Sequence, residues 1–290
     1  SGVQTKCIQY KIQYKDSERL DRAYGIQLGF LRASYCSFNI GHQLVLMGSG
    51  AATAREPEEE SVGNASAAAQ LLNGAYLEGL SEDQRYALEQ LRVLLEEEGW
   101  KKGNRRKGVN VHFKYSGEAG LNYVCSTCRV PDSAAAMFED FNQGKAQQRY
   151  NDVCREEQVL QVLEHPAPLG YERMVVGIYQ MPAPMKDREF LWREWAALLP
   201  TEDGGQLYVS VAMTPSPEES AAILPPNDKF VRGHLHLAAT MARQDPDSYE
   251  VSAASVIMGD VKGSMPKAVQ NMVAGNASSY LKNFRDAHSR

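Results

Sequence analysis

Asp260-Val261-Lys262-Gly263-Ser264-Met265-Pro266 reads as the end of a strand, a sharp turn and the start of a helix that runs to the C-terminus. Downstream, Val269, Met272, Val273, Ala277, Tyr280, Leu281 and Phe284 recur at three- and four-residue steps and form one apolar stripe, with Lys267, Gln270, Lys282 and Asp286 off it. Ser264 is placed to cap this helix, Pro266 falls in its first turn, and Gly263 permits the turn before it. Gly275, inside the helix, costs about 1 kcal/mol against alanine and marks a place where something packs close to the backbone. The strand entering the turn, Tyr249 to Val261, carries Val251, Ala253, Ser255, Ile257, Gly259 and Val261 on one face and Glu250, Ser252, Ala254, Val256, Met258 and Asp260 on the other. Small residues on both faces predict a sheet that curves around something and is not sealed as a close-packed sandwich.

The 290 residues, 43% hydrophobic and 23% charged, are those of a soluble globular protein of one large or two small domains. A net charge of -5 gives no electrostatic footing for nucleic acid. The five scattered cysteines make no disulfide framework and fit a reducing compartment, hence a cytoplasmic location, free or peripheral to a membrane. Cys125 and Cys128 form a C-x-x-C, but on a strand residues three apart face opposite ways and do not share a metal. Gly25 to Gly48 is apolar in patches, yet Arg32, Asn39, His42 and Gln43 interrupt it too often for a membrane span. No basic start and cleavage site of a signal peptide precedes it, and the absent start methionine reads as a fragment or a processed product.

Residues 1–74, with the acidic run Glu56 to Glu60 and an alanine-rich stretch, read as a linker or poorly ordered segment, and 75–290 as the folded domain. Order is expected from Ser81, where Ser81 and Gln84 make a capping box ahead of Leu88, Leu91, Leu94 and Leu95. Gly99 closes that helix, and the basic run Lys101, Lys102, Arg105, Arg106, Lys107 is expected at a hairpin tip. Strands Val109 to Tyr115 and Leu121 to Val130 follow, then a short helix capped by Asp132 or Ser133 and a charged turn to Tyr150. Six strands come next: Arg155 to Leu163, Tyr171 to Gln180, Arg188 to Leu199, Leu207 to Thr214, Lys229 to Ala242 and Tyr249 to Val261. Loops rich in Pro, Asp and Gly part them, including Thr214 to Glu219, so consecutive strands are expected to pair antiparallel.

With that order in view, Gly99-Trp100, Tyr150-Asn151-Asp152-Val153, Glu157-Gln158-Val159-Leu160, Arg188-Glu189-Phe190, Phe230-Val231-Arg232-Gly233 and the Asp260 to Pro266 stretch together resemble the START family of lipid-transfer domains over about residues 81–290. Tyr150 stands where that family usually has tryptophan, Glu189 where aspartate follows the arginine, and Glu194 near a frequent arginine. The resemblance implies an α+β helix-grip fold, in which a curved antiparallel sheet wraps a long C-terminal helix around one lipid, phospholipid, sterol or similar. It implies transfer or sensing of that lipid at a transiently touched membrane, with no cofactor and no catalysis. It makes Met181-Pro182-Ala183-Pro184-Met185 the lid, and it turns toward the ligand Arg188, Phe190, Trp192, Glu194, Phe230, Arg232, His234 and Asp260, with Met272, Val273 and Tyr280 of the helix.

By alternation, Arg188, Phe190, Trp192 and Glu194 share one strand face, as do Phe230, Arg232, His234 and His236, although a bulge would swap the inward side. Arg188 and Arg232 are read either as surface or structural ion-pair residues or as partners of a buried carboxylate, Glu194 or Asp260, or of a head group. Two rival functions stand beside the carrier: a ligand-sensing module of a larger protein, and an enzyme of the same broad fold built on His234 and His236.

Overall fold

The computed structural model describes residues 65–103, 108–163, 165, 169–263 and 279–289. The capping box forms as the sequence predicts: the Gln84 backbone N–H donates to Ser81 Oγ at 3.2 Å, and the Ser81 N–H donates to Gln84 Oε1 at 3.1 Å. With α1 (Ala65–Gln70) before it, α2 (Glu82–Glu96) lies on the outside of a large sheet. Its leucines 88, 91, 94 and 95 are buried there with Ala65, Ala68 and Ala69 of α1 and with Leu199, Leu207, Val209 and Met241. The alanine-rich end of the segment expected to be a linker up to residue 74 is therefore a helix with its small face in the core. Alanine allows close approach and adds no side-chain entropy cost, which composition alone does not distinguish from a spacer.

The strands are β1 (Lys101–Lys102), β2 (Asn110–Ser116), β3 (Leu121–Val130), β4 (Cys154–Leu163), β5 (Gly170–Tyr179), β6 (Arg188–Pro200), β7 (Gln206–Met213), β8 (Val231–Arg232), β9 (His234–Gln244) and β10 (Val251–Asp260). Their order across the sheet is β1-β2-β3-β10-β9-β7-β6-β5-β4 with antiparallel neighbours, while β8 pairs parallel with β6. Two departures from the sequence reading follow from local chemistry. The strand expected over Lys229 to Ala242 breaks at Gly233 into β8 and β9. The expected loop from Thr214 to Glu219 contains the start of a helix, α5 (Pro217–Ile223), where Ser216 Oγ accepts from the Glu219 N–H at 3.2 Å and Pro217 opens the first turn.

On the concave face lie α3 (Ala134–Asn142), capped by Ser133, then α4 (Ala146–Tyr150) and the C-terminal helix α6, described over 279–288. Tyr280, Leu281 and Phe284 of α6 are buried among Phe141, Tyr150, Val124 and Val251. Tyr150 packs edge-on to Phe284 at 5.0 Å between ring centroids and donates to Asp140 Oδ2 at 2.9 Å. His288 Nδ1 lies 2.5 Å from Asp132 Oδ2, and Asn283 Nδ2 donates to the Tyr150 carbonyl, so the last turns of α6 are held against α3 and α4. Both faces of β10 are covered: Ala254 and Val256 pack with the outer helices, Val251 and Ala253 with the inner ones. Cys125 and Cys128 likewise divide between the two faces, and burial pushes both thiols up to about 12. Ser264, Met265, Pro266, Met272, Val273, Gly275 and the basic residues 105–107 lie outside the described residues.

Candidate ligand pocket

Between the concave face and α6 lies a pocket of about 270 Å³. The strand register sets its two ends. Leu121, Tyr179, Arg188 and Asp260 lie at one end of their strands, and with Met181 and the Val261 to Gly263 turn they line the outer part. Deeper in, the wall is Phe190, Trp192, Ala212, Leu235, Ala238 and Ile257, ending on Arg173, Glu194, Ser210 and Thr240. Two glycines let the aromatic wall form. A methyl at Gly233 would meet the Phe190 ring at 2.4 Å, and one at Gly177 would meet Trp192 at 2.9 Å.

The innermost polar group is an ion pair. Arg173 on β5 stands directly across from Glu194 on β6, and Arg173 Nη2 donates to Glu194 Oε1 at 3.0 Å with both side chains almost completely buried. Tyr171 Oη donates to the same oxygen at 2.8 Å, and Trp192 Nε1 donates to Oε2 at 3.0 Å. The guanidinium also donates to the carbonyls of Phe141 and Asn142, at 2.9 and 3.3 Å. Burial pulls the Arg173 guanidinium toward losing its proton, but Glu194, Tyr171 and Glu157 together outweigh it and leave the group raised above its ordinary value. Beside them Glu157 accepts the N–H groups of Gln147 and Gln148 at 2.8 and 3.2 Å, satisfying the first turn of α4, which has no side-chain cap of its own. Burial, together with nearby Glu194, raises the Glu157 carboxyl above the usual carboxylate range.

Of the residues singled out from the sequence, Met181, Arg188, Phe190, Trp192, Glu194, Asp260 and Tyr280 line the pocket. Phe230, Arg232 and His234 do not. Arg232 pairs with Glu189, its Nη2 lying 2.8 Å from Oε1, and not with Glu194 or Asp260. Among the described residues Arg188 has no carboxylate partner within ion-pair distance: its Nε donates to the Val261 carbonyl at 2.6 Å, its Nη2 to that of Lys262 at 3.2 Å, and its Nη1 to that of Lys186. It ties the start of β6 to the turn that leads into the C-terminal segment. His234 misses the pocket because β9 carries a bulge. Met258 stands across from Leu237 and Gly259 across from Leu235, so His236 is an extra residue that resets the alternation and puts Leu235 on the pocket side. The two histidine rings pack edge-on at 4.5 Å near Asp260. Of the expected lid only Met181 reaches the pocket, while Pro182, Ala183 and Pro184 are exposed.

Sequence reading missed Arg173, Glu157, Tyr171, Ser210 and Thr240. A signal for the first was present: Glu172-Arg173 on one strand and Arg193-Glu194 on the next are complementary once the strands are antiparallel. The second pair forms on the other face, where Arg193 Nη2 lies 2.5 Å from Glu172 Oε1.

A curved antiparallel sheet closed over helices on its concave side is the architecture of the START fold, and solved structures bear this out. Human StAR-related lipid transfer protein 5 matches at 18% identity over 71% of this chain and 93% of its own, with a TM-score of 0.56. Human STARD10 matches at 18% identity over 75% and 83%, TM-score 0.53. The lipid transfer and protein localization domain of human StarD13 (DLC2) matches at 14% identity over 72% and 98%, TM-score 0.51. The chain thus has the fold of the StAR-related lipid transfer domains, as its sequence motifs indicate. No protein-family model matches it, and no curated protein sequence does.

Proposed function

We propose that this protein binds one lipid in the pocket and exchanges it at membrane surfaces, without a covalent step. The observation that carries the reading is the pocket itself: an aromatic and aliphatic wall between sheet and α6, with an Arg173–Glu194 ion pair at its inner end, on a fold shared with lipid transfer domains. Each buried methylene favours such a wall over water by about 0.8 kcal/mol, so a long chain does not leave into solvent unaided and exchange belongs at a bilayer. The Met181 to Met185 loop and the turn after β10 sit at the outer end and serve as the gate in this reading. Among the described residues no helix is long and apolar enough to cross a membrane. The pair considered for catalysis, His234 with His236, does not line the pocket, which favours carriage over chemistry. Native mass spectrometry of the purified protein, followed by organic extraction, tests the proposal. A co-purifying lipid is expected; a protein that stays at its polypeptide mass after incubation with mixed vesicles contradicts it.

A further inference from the structure

At the outer end of the pocket two separate segments are bonded to one side chain. Arg188, the first residue of β6 and 3% exposed, reaches the turn that leaves β10, where its Nε and Nη2 donate to the carbonyls of Val261 and Lys262. Its Nη1 donates to the carbonyl of Lys186, which ends the loop begun at Met181. The start of that loop is held by the neighbouring residue, as Asp187 Oδ1 accepts the Met181 N–H at 3.0 Å. Only a planar fork of donors reaches acceptors on both segments at once, and a lysine ammonium in the same place would have to choose between them.

The turn is not relaxed. Lys262 has a φ of 50° and Gly263 one of 79°, so two successive residues lie in the left-handed region, which glycine enters freely and lysine does not. Asp260 offsets part of this strain, accepting the Lys262 N–H at Oδ1 and the Lys262 ammonium at Oδ2, both at 2.7 Å. The ammonium contact is half exposed and holds weakly. Arg188 braces the turn from the other side, so near that a methyl on Gly263 would lie 3.6 Å from its Nη2. Freed from Arg188, Lys262 lowers its energy by returning to negative φ, and the chain beyond it changes direction.

Resting on the carrier reading above, we infer that Arg188 is the pin of the gate: it joins the Met181 to Lys186 loop and the Val261 to Gly263 turn into one unit and holds that unit shut against the strain at Lys262. Hydrogen exchange of the full chain, read by mass spectrometry over residues 181–186 and 260–263, tests this without any ligand. In R188K, which keeps the charge but gives up the fork, both segments should exchange about tenfold faster, with the amides of the β6–β7 ladder unchanged. In K262N both should exchange about threefold slower, because asparagine enters the left-handed region more readily, and the loop should slow although the substitution lies outside it. A merely structural role for these residues would speed exchange in both variants and in the sheet as well. Acceleration of only one segment in R188K overturns the coupling, and unchanged or faster exchange in K262N overturns the stored strain. If R188K does not fold cooperatively, K262N alone decides. The link to carriage is read separately, as the time for a lipid adduct to appear in native mass spectra after mixing with vesicles of phosphatidylcholine, cholesterol and dioleoylglycerol. R188K should load faster than the parent and K262N slower. Equal loading rates overturn the role of the pin in gating, whereas a parent that takes up no lipid overturns the carrier reading itself.

Discussion

Arg173 and Glu194 define what the inside of this protein tolerates. Replacing Glu194 by glutamine leaves a guanidinium almost fully buried without its counter-charge, which is expected to cost about 3–5 kcal/mol in urea unfolding, whereas replacing the two together by methionine and leucine should cost far less. A double replacement as damaging as E194Q alone would show that the pair does more than neutralise itself. The histidines give a second expectation. Burial lowers the affinity of His112, His234 and His236 for a proton, from an unfolded value of 6.5. The unfolded chain therefore takes up protons first, and stability present above about pH 6.5 is lost as pH falls through the depressed folded values. Glu157 works in the opposite sense above its unfolded value of 4.5, so the readout is the difference between H236Q and the parent, not the raw curve. H236Q should flatten the fall in unfolding free energy below pH 6.5; an unchanged slope places the proton uptake elsewhere. Phase put Glu194 on one face with Arg188, Phe190 and Trp192, all four of which line the pocket, but did not say which face is inward. Arg173 was out of reach because its importance depends on which residue stands across from it, and register is a property of two strands at once.

At the scale of elements, helix ends were legible because capping chemistry is local: Ser81 with Gln84, and Ser133 before α3, act as their spacing indicates. Alternation along β6 was legible for the same reason. The bulge in β9 was not, since nothing in His234-Leu235-His236-Leu237 shows which residue lacks a partner on β10. The element whose role changed most is α1. A chain starting at residue 75 loses Ala65, Ala68, Ala69 and Leu71 from the cluster on α2, and should be less stable in urea than one starting at residue 65, by about 2 kcal/mol or more. Equal midpoints for the two would return residues 65–74 to the status of a spacer. Deleting the cap with S81A should lower stability by about 1 kcal/mol, read from the same unfolding curves.

Over the described residues the protein is a sheet whose outer face is covered in part by α1 and α2 and whose inner face is shared between helices and pocket. In the proposed carrier, movement is expected at the outer end, where Met181 and the Val261 to Gly263 turn both line the pocket. A disulfide engineered between that loop and the turn, at positions with Cα atoms within about 7 Å, should keep a preloaded lipid bound but stop its exchange between vesicles. Exchange at the reduced protein's rate would put the opening elsewhere.

The pairing of β3 with β10 also governs how the molecule is made. During synthesis the edge of β3 that will receive Val251 to Ile257 emerges well before its partner, and at cellular elongation rates it waits on the order of ten seconds. For that interval Val124, Cys125 and Val130 lie on a strand with one unpaired edge, a template for any other extended chain nearby. Yield in a cell should thus depend on how fast residues 131–260 follow, so that slow codons placed there send more of the protein to aggregates while those placed after 260 do not.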